Sequence, residues 1–134
     1  MAMDGLTTLA SRFGPKETMD RLAAAVAGKG LTIFARVDHA AGAAQVGLEL
    51  APTELLIFGH AKGGTPLMQA GQTAGIDLPL KALVWQDGAG KTWLSYNDPA
   101  WIAARHGLEP AKVPAVGALS GVLAALAREA TGEA

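Results

Sequence analysis

Asp38 and His39 stand side by side where an alternating apolar segment gives way to an alanine-rich one, and Glu49 follows between apolar neighbours. A histidine beside carboxylates is the pattern of acid–base catalysis, because imidazole titrates near neutral pH and a carboxylate can orient it. His39, Asp38 and Glu49 are therefore the candidate catalytic residues. The same three also have a structural account. Asp38 is a good helix N-cap, His39 fills a boundary position, and Glu49 pairs with Arg36 or Lys81.

The second candidate is the segment Gly59-His60-Ala61-Lys62-Gly63-Gly64-Thr65. It is expected to be a loop leading into a helix that starts at Thr65-Pro66. Glycines let backbone approach a ligand, unpaired amides at a helix start favour an anion, and Lys62 adds a full positive charge. Gly59, His60, Lys62, Gly63, Gly64 and Thr65, with Lys81 from a neighbouring strand, are the candidate ligand-binding residues for a small anionic or polar molecule. The segment is not a P-loop, because Thr65 and not lysine follows the last glycine. Its structural account is a tight glycine turn with an ordinary cap.

Other chemistries are disfavoured. With no cysteine, there is no thiol nucleophile, disulfide or cysteine-ligated metal. His39, His60 and His106 lack the i, i+4 spacing of a helical metal motif, so no metal site is expected, and no cofactor motif is present. His106 is expected to act as a cation at a helix C-terminus. The net charge of −1 and the lack of a basic cluster argue against nucleic acid and anionic membrane. Trp85, Trp93 and Tyr96 are expected in core or dimer packing. No apolar run approaches the length of a membrane span, and the first residues lack the blocks of a signal peptide. A soluble cytoplasmic protein is the expectation.

These residues need a scaffold, and 134 residues with 50% hydrophobic content suit one domain over 1–134 with an aliphatic core. Leu6–Phe13 reads as a strand ended by Gly14-Pro15. Met19, Leu22, Ala23 and Val26 make one helical stripe over 15–28. Leu31, Ile33, Ala35 and Val37 alternate with Thr32, Phe34 and Arg36, which predicts a strand with one buried face. A short helix over 39–46 and an apolar, interior strand over 53–58 follow. Leu80–Gln86 and Lys91–Tyr96 flank Asp87-Gly88-Ala89-Gly90, a hairpin signature. Asp98-Pro99 opens a helix to Arg105. Val116, Leu119, Val122, Leu123 and Leu126 mark a last helix whose other face, Ala118, Gly121 and Ala125, is small. The expected core includes Leu22, Val26, Ile33, Val37, Ile57, Phe58, Val84 and Leu94. The order β-α-β-α-β-α-β-β-α-α with a plain hairpin predicts an α+β two-layer sandwich, its mixed or antiparallel sheet carrying helices mainly on one face.

Several stretches, in order, carry a likeness: Arg36-Val37-Asp38-His39-Ala40-Ala41, Gly47–Thr53, Phe58-Gly59, Lys62–Met68, Asp77-Leu78-Pro79-Leu80-Lys81 and Trp93-Leu94-Ser95-Tyr96-Asn97. Together they resemble the domain-of-unknown-function family DUF302 over about residues 6–108, with a helical extension at about 112–130. That family typically carries Asn-Pro after the Phe-Gly, where this chain has His60-Ala61. The resemblance implies a small α+β domain similar to the TATA-binding-protein-like sandwich, tending to form homodimers. It implies no activity and transfers no catalytic residue.

Three functions remain open at this stage. One is a homodimeric domain binding a small anionic or polar ligand. Another is an enzyme using His39 with Asp38 or Glu49. The third is a dimeric structural or interaction module without a ligand site. Convergence of His39, Glu49 and Lys62 on one cleft would favour binding or catalysis.

Overall fold

Pro15 sits in the first turn of a helix, where its missing N–H costs nothing, and Thr18 Oγ1 donates to the Gly14 carbonyl at 2.8 Å. In the computed structural model, which describes residues 3–133, this is α1 (Pro15–Gly28). It buries Met19, Leu22 and Val26 of the stripe read from the sequence, with Thr18 beside them, and leaves Ala23 half-buried. The strand before it, β1 (Leu6–Ala10), is shorter than expected. The Ser11 N–H still donates to the Thr92 carbonyl at 2.9 Å, and its hydroxyl bonds Thr18 and the Phe13 amide as the chain turns away.

The remaining elements follow the predicted order: β2 (Thr32–Asp38), α2 (His39–Gln45), β3 (Thr53–Gly59), α3 (Ala61–Ala70), β4 (Leu80–Gln86), β5 (Thr92–Asn97), α4 (Pro99–Arg105) and α5 (Pro114–Thr131). Short 3₁₀ turns at Gln72–Ile76 and Pro110–Lys112 link them. The five strands form one antiparallel sheet in the order β1-β5-β4-β3-β2. At the β4–β5 turn the Asp87 carboxylate accepts from the Ala89 and Lys91 amides and from Trp93 Nε1, which fixes the hairpin.

Helices α1 and α5 pack on each other and on one face of the sheet. Leu56, Phe58, Leu80, Ala82, Val84 and Leu94 meet Met19, Leu22, Val26, Leu119, Leu123 and Leu126 there, all buried. This is the α+β layered fold expected from the element order. On the other face, Leu55, Ile57, Leu83, Trp85 and Trp93 are only half-buried, because no helix covers them. The expected core is corrected accordingly. Leu22, Val26, Phe58, Val84 and Leu94 are buried, but Val37 and Ile57 are half-exposed and Ile33 is 39% exposed.

The physical reason at Ile33 is a bulge. Ile33 stands opposite Phe58 and Ala35 opposite Ile57, so Phe34 has no partner across the ladder and the simple alternation of β2 is broken.

Candidate functional site

His60 closes β3 and begins α3. Its Nδ1 accepts from the Lys62 amide at 3.0 Å, and its carbonyl accepts from the Gly63 and Gly64 amides at 2.9 and 3.1 Å. The expected loop over 60–64 is therefore the first turn of α3, and Thr65 and Pro66 lie inside the helix rather than at its start. The side-chain cap outweighs the poor helix propensity of Gly63-Gly64. In consequence, the amides of Lys62, Gly63 and Gly64 bond to their own chain and do not form an anion cradle.

What the turn does build is a cavity. Gly59, His60, Ala61, Gly64 and Thr65 form one side of a half-open space of about 240 Å³, lined elsewhere by Phe34, Met68, Leu78, Pro79, Leu80 and Leu119. The bulge in β2 accounts for Phe34, which is 57% exposed and reaches this rim. The Leu78–Pro79 peptide is cis. A Cβ added at Gly64 would meet Leu78 Cδ1 at 3.7 Å and Met68 Cε at 3.8 Å, ordinary contact distances. Glycine here thus leaves space that a side chain would occupy.

A second groove of about 390 Å³ adjoins the cavity and shares Gly59, His60, Leu80 and Leu119 with it. Lys29, Lys62 and Gly63 line it, along with Val122 of α5. Among the described residues neither Lys29 nor Lys62 has a carboxylate within 4 Å.

The other sequence-predicted residues lie elsewhere. The β2–β3 register places Thr32 opposite Gly59 at one end and Asp38 opposite Glu54 at the other. Six residues of strand separate those ends, about 20 Å. Asp38 and His39 thus share no cleft with His60 and Lys62. Asp38 is spent as the cap of α2, its Oδ1 accepting from the Ala41 amide at 2.9 Å. His39 and Glu49 are exposed. Arg36 bonds Glu54 and Asp20 rather than Glu49. Lys81 lies on the uncovered face of the sheet, where its ammonium donates to the carbonyls of Asp77 and Pro79. No group of three or more metal-ligating side chains occurs among the described residues.

One polar cluster escaped the sequence reading. His106 Nε2 lies 2.6 Å from Asp77 Oδ2, and its Nδ1 lies 2.8 Å from Thr73 Oγ1. Arg105 donates to both Asp77 oxygens at 2.8 Å. Burial pushes the Asp77 carboxyl up, but the His106 and Arg105 hydrogen bonds and the Arg105 charge outweigh it and hold it below the usual carboxylate range. The chain of hydroxyl, imidazole and carboxylate has the order of a nucleophile, base and orienting group. Here the carboxylate is already occupied by a guanidinium. The cluster works as a pin joining the end of α4, the 3₁₀ turn and the entry to β4. His106 does stand at the C-terminal end of α4, as expected, and these bonds tie its ring to the 3₁₀ turn.

The apolar wall was legible only in part. Asp77-Leu78-Pro79-Leu80-Lys81 stood out as a motif, whereas Phe34 carried one faint signal, a large aromatic on the strand face assigned to polar residues.

Comparison with known proteins adds three findings. A family model described as "Domain of unknown function DUF302" matches residues 7–126. The fold is similar to the crystal structure of an uncharacterized conserved protein DUF302 from Bacillus stearothermophilus, with a TM-score of 0.83 over 96% of this chain and 99% of that one, at 19% identity. Among curated proteins, the chain is 55% identical over 104 residues to "Fluoride-specific ion channel FluC 1" of Brucella suis, which is 78% of this chain and 41% of that protein. It is equally similar to FluC 1 of Brucella abortus, of which it covers 38%. The chain thus spans about two-fifths of the length of these relatives.

Proposed function

The chain belongs to the DUF302 family, and from that premise we propose that it is a homodimeric binding domain that takes a small molecule into the cavity between β3, α3 and β4. The observation that carries this reading is the cavity itself: about 240 Å³ lined mostly by apolar residues, with His60 and Thr65 as the polar ones. A concave, mostly apolar space with a few polar groups is the usual form of a small-molecule site. The acid–base reading of His39 has no such support, because its carboxylate neighbour is a helix cap and both His39 and Glu49 are exposed.

A thermal-shift screen of small amphiphilic compounds tests the reading. A ligand at a hundred times its Kd should add about 2.7 kcal/mol of stability. Gly64→Ala, which narrows the cavity, should reduce that shift while leaving the unliganded protein as stable or up to about 1 kcal/mol more stable. A ligand whose effect is the same in both proteins binds elsewhere, and that outcome removes the cavity reading.

The names of the Brucella relatives support a second, contextual reading. Among the described residues no helix is long and apolar enough to cross a membrane. We therefore assign channel activity to other parts of those longer proteins and read this domain as an accessory module beside an ion pathway. Fluoride flux through the Brucella suis protein that does not respond to a cavity ligand would remove that link.

A further inference from the structure

Resting on that reading of the cavity, we propose that its ligand is an amphiphile with a medium-length acyl chain and a free carboxylate. The chain lies in the cavity, and the carboxylate lies in the adjoining groove at Lys29 and Lys62.

The cavity selects the chain. No charged side chain lines it; Phe34, Met68, Leu78, Pro79, Leu80 and Leu119 make most of its wall. Its volume of about 240 Å³ is below that of a drug-sized site, which suits a short to medium acyl segment rather than a bulkier body. Met68 is unbranched and adapts to irregular occupants, which suits a flexible chain rather than a rigid ring system.

The groove selects the head. It borders the cavity, with Gly59, His60, Leu80 and Leu119 lining both, which places the two within reach of one extended molecule. Lys29 and Lys62 supply its formal charges, and no acidic side chain lines it. Neither lysine is engaged in an ion pair among the described residues, so an incoming carboxylate displaces no internal partner. The α3 amides contribute nothing to this selection, since those of Lys62, Gly63 and Gly64 are taken by His60. His60 Nδ1 already accepts from Lys62, so the imidazole meets a ligand through its other nitrogen.

The probes are octanoate and octan-1-ol, which share a chain and differ in the head. In isothermal titration at low salt, octanoate should bind the purified chain about three- to tenfold more tightly than octanol, the size expected of two solvent-exposed ion pairs. Exchanging both cations, Lys29→Gln with Lys62→Gln, should bring the two ligands within about twofold of each other and flatten the salt dependence. Neither lysine is buried, so that variant should keep the fold. Gly64→Ala should weaken both ligands together, which separates cavity binding from adhesion to other apolar surface. Equal affinity of the wild-type chain for octanol and octanoate overturns the carboxylate assignment and leaves the cavity reading standing. Failure of both to bind overturns both.

Discussion

Asp77 illustrates how one carboxylate ties distant segments together. It takes hydrogen bonds from Arg105 and His106, and its side chain is only 15% exposed. Its carboxyl titrates below the usual value of 3.8 in the folded protein, so the unfolded chain binds a proton first as pH falls. The Asp77 contribution is therefore complete above about pH 5 and is lost as the pH falls through the folded value. Asp77→Asn should cost about 1.5–3 kcal/mol at neutral pH, the worth of hydrogen bonds to a charged group. Thermal melts between about pH 6 and pH 2 should then show a shallower acid decline for the variant than for the wild type. Parallel declines would mean that other carboxylates govern acid unfolding. The sequence could not reveal this cluster. Thr73 and Asp77 sit at the 3₁₀ turn and Arg105 and His106 at the end of α4, and no local periodicity connects the two pairs. Asp38 is the opposite case, because its role as a cap is a local event written in neighbouring residues.

Element by element, the strongly periodic segments were legible. The bounds of α1 matched the expected 15–28, and the Asp87-Gly88-Ala89-Gly90 turn joined the expected strands. Two elements were misread, for different reasons. In α3, glycines and an internal proline looked like a loop and a helix start, yet a histidine cap starts the helix at Ala61. In β2, perfect alternation in the sequence hid a bulge that only pairing with β3 produces. The energetic consequence is checkable by chemical denaturation. Leu56→Ala, at a fully buried position between the sheet and its helices, should cost about 2–5 kcal/mol. Ile33→Ala should cost less than about 1 kcal/mol, because Ile33 already keeps 39% of its surface in solvent. Equal losses would mean that β2 is covered in solution.

Cover of that kind is the question for the whole molecule. The layered class and the placing of helices mainly on one face both followed from the element order, but the sequence did not say that the uncovered face would be apolar. Leu55, Ile57, Leu83, Trp85 and Trp93 lie on that face, with Trp85 stacked on Trp93 at 6.1 Å between ring centres. Five strands span about 24 Å and run about 20 Å, so two copies packed face to face would remove roughly 1,000 Å² from water, near the lower limit for a specific interface. Val46 and Leu48, 72% and 65% exposed, lie beyond a helix that buries no residue, and they offer further apolar surface. Light scattering at micromolar concentration should give twice the 13.6 kDa chain mass. Leu83→Glu, at the centre of the face, should return the monomer with little loss of fold. A wild-type monomer under those conditions would overturn the homodimer.

The bulge at Phe34 carries one more consequence. β2 is an edge strand, and its outer N–H and C=O groups would otherwise offer a straight template for another strand. The unpaired residue kinks that template, so an incoming strand must shift register to pair along its whole length, as β3 does on the other side. The device that turns an aromatic side chain toward the cavity therefore also protects the molecule from open-ended polymerisation along its rim.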